Sequence, residues 1–303
     1  MKPPRIVAFV MAGGEGTRLR PLTADLPKPA LPIGGRCRII DFVLSNLHHS
    51  RIGQVYVLLQ YRGQVLADHL AAVWPAAERA PGEFVEPVWP RVAFLGTADA
   101  VRQGLDRIDD REVDIVAVFA ADHVYRMDVR QMIECHRAND ADVTIAAVPV
   151  PIAEAHSFGV MRVDQRHRII DFQEKPAQPA HAPGDPAHAL VSMGNYLFRP
   201  AALRAALAAA ARDGEYDFGH HVVPRLVRDG RAFAYDFRAN RIPGLRASEE
   251  PAYWRDIGTL DAYAAADRDL RGSQPLLQVD DPWWRIRGCC AGPEMAAPHE
   301  LAA

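Results

Sequence analysis

The sequence predicts an α/β fold with a mixed, mainly parallel sheet flanked by helices. Three observations carry that expectation. The apolar runs are short and rich in β-branched residues, and they alternate with segments of helical period. One run, Ile115 to Ala120 (IVAVFA), is apolar throughout, as a central strand buried on both faces must be. Composition agrees: 303 residues with 49% hydrophobic and 24% charged form an ordinary globular mixture with room for a sizeable core.

In order along the chain, Arg5 to Ala12 (RIVAFVMA) reads as the first strand. From Ile39, apolar residues at 39, 40, 43, 44 and 47 make a helical stripe, and Val55 to Leu59 is the next strand. A helix from Asp99 to Ile108 leads to strand Ile115 to Ala120, then helix Val129 to Asn139 and strand Val143 to Val150. Beyond Phe158, the alternating runs GVMRV and RIIDFQEK flank a polar turn at Asp164 to His167, which predicts an antiparallel pair added to the parallel core. The proline-rich stretch Ala177 to His188 predicts a surface loop. Strand LVSMGNYLF, the Ala-rich helix Ala201 to Arg212, a helix near Phe218 to Asp229, strand AFAYDF and a last helix from Thr259 to Leu270 follow. The folded part is expected to end at Gly288, leaving 289–303 as a tail without fold, and no internal repeat is visible.

With 35 Lys+Arg against 38 Asp+Glu the net charge is −3, so no global positive field attracts nucleic acid or an anionic membrane. Any anionic ligand must be held locally. The N-terminal apolar run ends at glycines after about seven residues, too short to span a bilayer, and no cleavage region follows, which predicts a cytoplasmic location. Cys37, Cys135, Cys289 and Cys290 show neither a CxxC pair nor metal-ligand spacing, and are expected as reduced thiols.

The motif with chemical content is AGGEGTRLRPLT, Ala12 to Thr23, directly after the first strand. Gly13, Gly14 and Gly16 allow a tight turn and expose backbone amides to an anion. Leu19 stands where a dinucleotide-binding GxGxxG needs its third glycine, and the Gly-Lys-Ser/Thr of a Walker loop is absent. Arg18, Arg20 and Lys28 follow instead, placing cations behind a glycine nest. Asp122 comes at the end of the buried strand, at the carboxyl edge where parallel sheets bind ligands; a helix N-cap is the other role open to it.

Taken in order, GGEGTRLRPLT followed by KP, then GTADAV, ADHVYRMD, FGV, EKP, SMGNYLF and YWRDIGT resemble the glucose-1-phosphate adenylyltransferase (ADP-glucose pyrophosphorylase) family of sugar nucleotidyltransferases, over about Arg5 to Gly288. The resemblance implies a Rossmann-like sheet of the nucleotide-diphospho-sugar transferase type. It also implies transfer of the adenylyl group of ATP to glucose 1-phosphate for glycogen synthesis. Family members continue into a left-handed β-helix of hexapeptide repeats, which is not seen here, so residues 1–288 are expected as the catalytic domain alone. A homo-oligomer is compatible with the resemblance but not required by it.

The sugar-phosphate nucleophile is already an anion, so positioning and charge neutralisation are the expected means of catalysis and no general base is needed. The resemblance gives Arg18, Lys28 and Asp122 catalytic roles, with the two cations facing the triphosphate. Asp122 and Asp256 would share Mg²⁺, which takes oxygen ligands, so the neighbouring His123 reads as structural. Gly13, Gly14, Gly16 and Thr17, with Gly96, Thr97 and Ala98, would receive the nucleotide and its adenine. Lys175 would hold the sugar phosphate and Glu174 the sugar hydroxyls, alongside Ser192, Gly194 and Tyr196.

Two departures from the family pattern stand out. The loop before GTADAV is shortened, with Phe94 where a tyrosine falls, and His220 and His221 replace a polar pair in YDFGHHVVP as local substitutions. Two other readings stay open: a pyrophosphorylase for a different nucleotide and sugar pair, and a weakly active regulatory subunit that binds sugar nucleotide.

Overall fold

The computed structural model describes residues 3–109, 111–246 and 248–289. The strands are β1 (Ile6–Met11), β2 (Pro32–Ile33), β3 (Cys37–Arg38), β4 (Gln54–Leu58), β5 (Phe84–Val88), β6 (Ile115–Ala120), β7 (His123–Tyr125), β8 (Val143–Pro151), β9 (Gly159–Val163), β10 (Ile169–Glu174), β11 (His188–Phe198), β12 (Ala232–Asp236) and β13 (Trp254–Asp256). The α-helices are α1 (Ile39–His49), α2 (Gly63–Val73), α3 (Thr97–Leu105), α4 (Val129–Ala138), α5 (Pro200–Arg212), α6 (Val223–Asp229) and α7 (Leu260–Asp269). The chain divides into two compact units and crosses from one to the other five times, after Phe9, Trp89, Phe119, Val129 and Arg238.

The first unit comprises Met1–Phe9, Pro90–Phe119 and Arg130–Arg238. Its centre is β11, which pairs antiparallel with β6, β8 and β9. Since β12 runs parallel to β8 and β10 antiparallel to β9, strands β6, β8, β9 and β12 share one direction and β10 and β11 the other. The expected mixed sheet is thus present, with GVMRV and RIIDFQEK as its antiparallel pair. The all-apolar β6 is buried from Ile115 to Phe119, which is why it needs no alternation. β11 carries an irregularity between Ser192 and Tyr196, where Gly194 adopts φ 71°, and this bulge re-aims the side chains around it. Helix α3 packs against α5, and α6 against β10.

The second unit comprises Val10–Trp89, Ala120–Val129 and the described residues from Ala239 to Cys289. Here β4, α2 and the parallel β5 form a βαβ crossover. Helix α1 buries Ile39, Ile40, Val43, Leu44 and Leu47, the stripe that the sequence predicts, and Phe42 as well. Ile39 and Phe42 join Leu19, Leu31, Ile33, Val124, Ile257, Tyr263 and Ile286 in one apolar cluster. Burying each large side chain in it is worth about 1.5–3 kcal/mol. Among the described residues no helix is long and apolar enough to cross a membrane.

The cysteine expectation needs correction. Cys37 and Cys289 are joined in a disulfide inside this cluster, with their Cα atoms 4.4 Å apart. Their separation of 252 residues carries no pairing signal, because only tertiary folding brings β3 beside the segment after Ile286. Cys135 is free, and burial pushes its thiol pKa up. Cys290 and the rest of the expected tail, 290–303, lie outside the described residues.

Candidate functional site

The glycine loop of the second unit is built on β1 and β4. Ala12 N donates to Leu58 O at 3.1 Å, so the chain is anchored to β4 as it enters Gly13 and Gly14. Gly16 sits at φ 64°, and a Cβ on it would come within 3.0 Å of the Lys28 Cβ. Only glycine satisfies both demands, the left-handed backbone and the close approach. The Thr23 hydroxyl donates to Gly16 O at 2.8 Å and holds the loop over the Lys28 stem. Thr17–Leu19 forms a single 3-10 turn with Leu19 buried in the core cluster and Arg18 exposed.

A two-stranded ribbon, β7 with β13, supplies the carboxylates. Asp256 is the register partner of His123, and Ile257 N donates to Asp122 O at 3.3 Å. The Lys28 ammonium lies 2.8 Å from Asp122 Oδ2 and 3.7 Å from Asp256 Oδ1. His123 Nε2 is 3.5 Å from Asp122 Oδ1 and 3.4 Å from Asp256 Oδ1, with the imidazole buried against Trp254 at 5.2 Å between ring centroids. Burial pushes the Asp122 pKa up, but the nearby charges of Lys28 and His123 outweigh it and hold the carboxyl well below the usual range. One ligand atom from each of Asp122, His123 and Asp256 lies within 4.8 Å of the others. Two carboxylates around a space already suited to a cation fit a divalent ion, and two hard oxygens suit Mg²⁺. Through Nε2 the His123 imidazole faces the same polar cluster.

In the first unit the other predicted residues gather around β10, β11 and a π-helical turn at Phe218–Val222. Lys175 Nζ pairs with Glu174 Oε1 at 2.9 Å; the lysine is half exposed and the glutamate mostly buried. A Cβ on either Gly159 or Gly219 would collide with the Glu174 carboxylate, so the two glycines form its cradle. Across the β11 bulge, Gly194 N donates to Ser192 Oγ at 3.1 Å and Ser192 Oγ donates to the Tyr196 hydroxyl at 3.2 Å. Burial pushes the Tyr196 pKa up, and the nearby charges of Glu174 and Asp217 add to this. Its ring lies 5.7 Å from that of Phe218.

Gly96, Thr97 and Ala98 adjoin the same turn. Phe218 N donates to Thr97 Oγ1 at 2.9 Å, and Ala98 N to Tyr216 O at 2.8 Å. His221 is engaged locally, its Nδ1 accepting from Asp217 N at 3.1 Å. The loop before Gly96 is pinned by Asp99, whose carboxylate accepts from Leu95 N and from the Arg102 and Gln103 side chains. Burial raises the Asp99 pKa, and these hydrogen bonds outweigh that and lower it overall.

The structure thus brings Lys28, Asp122 and Asp256 into contact in the second unit, with Arg18 close by. It brings Glu174, Lys175, Tyr196 and, through Phe218, Thr97 together in the first. Sequence reasoning missed Gly258, Gly159 and Gly219. A Cβ on Gly258 would collide with Asp256 Oδ2 and lie 3.7 Å from Arg18 Nη1, so its bareness lets guanidinium and carboxylate approach. The signal was there: Gly258 is part of YWRDIGT and Gly159 of FGV.

Residues 7–273 match the family described as Nucleotidyl transferase. The chain is 47% identical over 289 residues to the glucose-1-phosphate adenylyltransferase of Thermodesulfovibrio yellowstonii, covering 93% of this chain and 70% of that protein. The proteins of the same name from Thermus thermophilus and Mycobacteroides abscessus are each 45% identical, covering 93% and 94% of this chain and 70% and 72% of theirs.

Proposed function

Because the chain belongs to the nucleotidyl transferase family, among the glucose-1-phosphate adenylyltransferases, we propose that it transfers the adenylyl group of ATP to glucose 1-phosphate, giving ADP-glucose and pyrophosphate. The observation that carries this reading is the meeting of Lys28, Asp122 and Asp256 beside the glycine loop. A phosphate oxygen of glucose 1-phosphate attacks the α-phosphorus, the bond to the β-phosphate oxygen breaks, and pyrophosphate leaves with the electron pair. No proton has to be removed from the nucleophile, so the protein's task is to align the groups and neutralise charge.

In this reading Arg18, Lys28 and the amides of Gly13, Gly14, Gly16 and Thr17 take the phosphates of ATP, and Gly96, Thr97 and Ala98 its adenine. Lys175, released from Glu174, takes the sugar phosphate; Glu174, Ser192, Gly194 and Tyr196 take the sugar. Asp122 and Asp256 hold Mg²⁺, which when bound neutralises charge on the reacting phosphates. A cytoplasmic location, one catalytic domain that the disulfide extends past 288 to Cys289, and a role in glycogen synthesis belong to the same reading. Pyrophosphate release from glucose 1-phosphate, with ATP, UTP, dTTP and GTP compared in parallel, tests it. ATP is expected to be used best, and a clear preference for another nucleotide would replace the adenylyl assignment.

A further inference from the structure

The chain has three lysines, Lys2, Lys28 and Lys175, and the second of them occupies the place that a divalent cation would need. The Lys28 side chain is 10% exposed, and its ammonium bridges the two aspartates at 2.8 and 3.7 Å. An ion taking an oxygen from each aspartate would lie about 2.1 Å from both. Lysine and metal cannot share that space, on steric grounds and because their charges repel.

Both partners are built for exchange. The Lys28 backbone is fixed, with Leu31 N donating to its carbonyl at 3.1 Å and the Gly16 loop lying against its Cβ. Beyond that point the side chain is an unbranched tether whose ammonium has a single hydrogen bond to a described residue, Asp122 Oδ2. The aspartates stay where the β7/β13 ribbon holds them. Left without any cation, two carboxylates this close would repel each other, and a divalent ion offsets that repulsion more strongly than an ammonium can.

We propose that the Lys28 ammonium and a divalent cation are alternative occupants of the Asp122–Asp256 pair. Lysine closes the site when metal is absent, and the arriving metal displaces it, freeing its charge for phosphate. The proposal rests on the metal reading above and adds a step to it: metal entry and lysine release are one event.

The test uses the unmodified chain. Limited acetylation read by mass spectrometry reports the reactivity of each lysine, and Lys175, half exposed, serves as the internal control. Saturating Mn²⁺ alone, without nucleotide, should raise the Lys28 rate roughly threefold or more and leave Lys175 unchanged, since reactivity follows the released fraction. An unchanged or slower Lys28 would overturn the proposal. Mn²⁺ binding followed by electron paramagnetic resonance gives a second readout. Lys28→Met should bind the ion about tenfold more tightly than the parent, because no tethered cation competes, and Lys28→Arg should stay within about twofold of the parent. Equal or weaker binding by Lys28→Met would also overturn it. Asp122→Asn separates the two layers. If it binds Mn²⁺ like the parent, the metal reading itself falls. If it loses the ion while Lys28→Met behaves like the parent, the metal reading stands and the exchange does not.

Discussion

Asp256 lies directly across the β7/β13 ladder from His123, and this pairing sets its carboxylate beside that of Asp122, so that one ammonium reaches both. If the pair holds Mg²⁺, Asp122→Asn and Asp256→Asn should each lower turnover on the order of a thousandfold, several kcal/mol of barrier. The fold should persist, since the backbone ladder makes no use of the carboxylates. Pyrophosphate release at saturating Mg²⁺ measures the effect, and a variant within about tenfold of the parent would remove that residue from the metal site.

The ladder also shows where sequence reading stops. Ile115–Ala120 was legible to the residue because six consecutive apolar residues, mostly β-branched or aromatic, are too few for a helix and suit a strand buried on both faces, and the stripe from Ile39 gave α1 its true start. Strands β7 and β13 have three residues each, too few for any period to show. The meeting of Asp122 and Asp256 was therefore readable only through the family resemblance. Helix α2 was missed because it buries little beyond Gly63, Leu66 and Leu70, and β5 because Pro87 argues against a strand anywhere but at a sheet edge. The disulfide was misread because the rule applied to cysteine spacing is local and the contact is not.

Lys175 should act on one substrate. As a ground-state contact to the sugar phosphate, its replacement in Lys175→Ala should raise KM for glucose 1-phosphate by about tenfold or more and KM for ATP by less than about twofold. Its partly exposed pairing with Glu174 contributes little to stability, so the melting temperature should barely move. Equal changes in both KM values would assign the EKP lysine a different role.

The Cys37–Cys289 bond should be visible as stability. It closes a loop across most of the chain, and losing such a link costs about 2–4 kcal/mol. Cys37→Ser should unfold at correspondingly lower denaturant in the absence of reductant. Adding dithiothreitol should bring the parent down to the variant and leave the variant unchanged. A parent insensitive to reductant would mean that the bond contributes nothing to the folded state.

His136 should set the acid side of the stability profile. It is 5% exposed, with Nδ1 and the Thr144 hydroxyl 2.8 Å apart. Burial, reinforced by the Arg199 charge and only partly opposed by Asp142 and Asp140, lowers its pKa from 6.5 to about 4. The folded state therefore favours neutral imidazole. Above pH 6.5 the ring is neutral in both states and this contribution is intact. As the pH falls from 6.5 towards 4, the unfolded chain takes up a proton that the folded chain refuses, and stability drops, by about 3 kcal/mol in all, levelling off below pH 4. His48, lowered first by burial and then by the charges of His49, Arg287 and Arg79, adds in the same direction. Replacing His136 by Gln, which keeps a hydrogen-bonding group but cannot take up a proton, should flatten much of this slope. Urea unfolding at pH 7.5, 6, 5 and 4.5 for parent and variant decides the matter, since parallel curves through that range would show that the acid sensitivity arises at other groups.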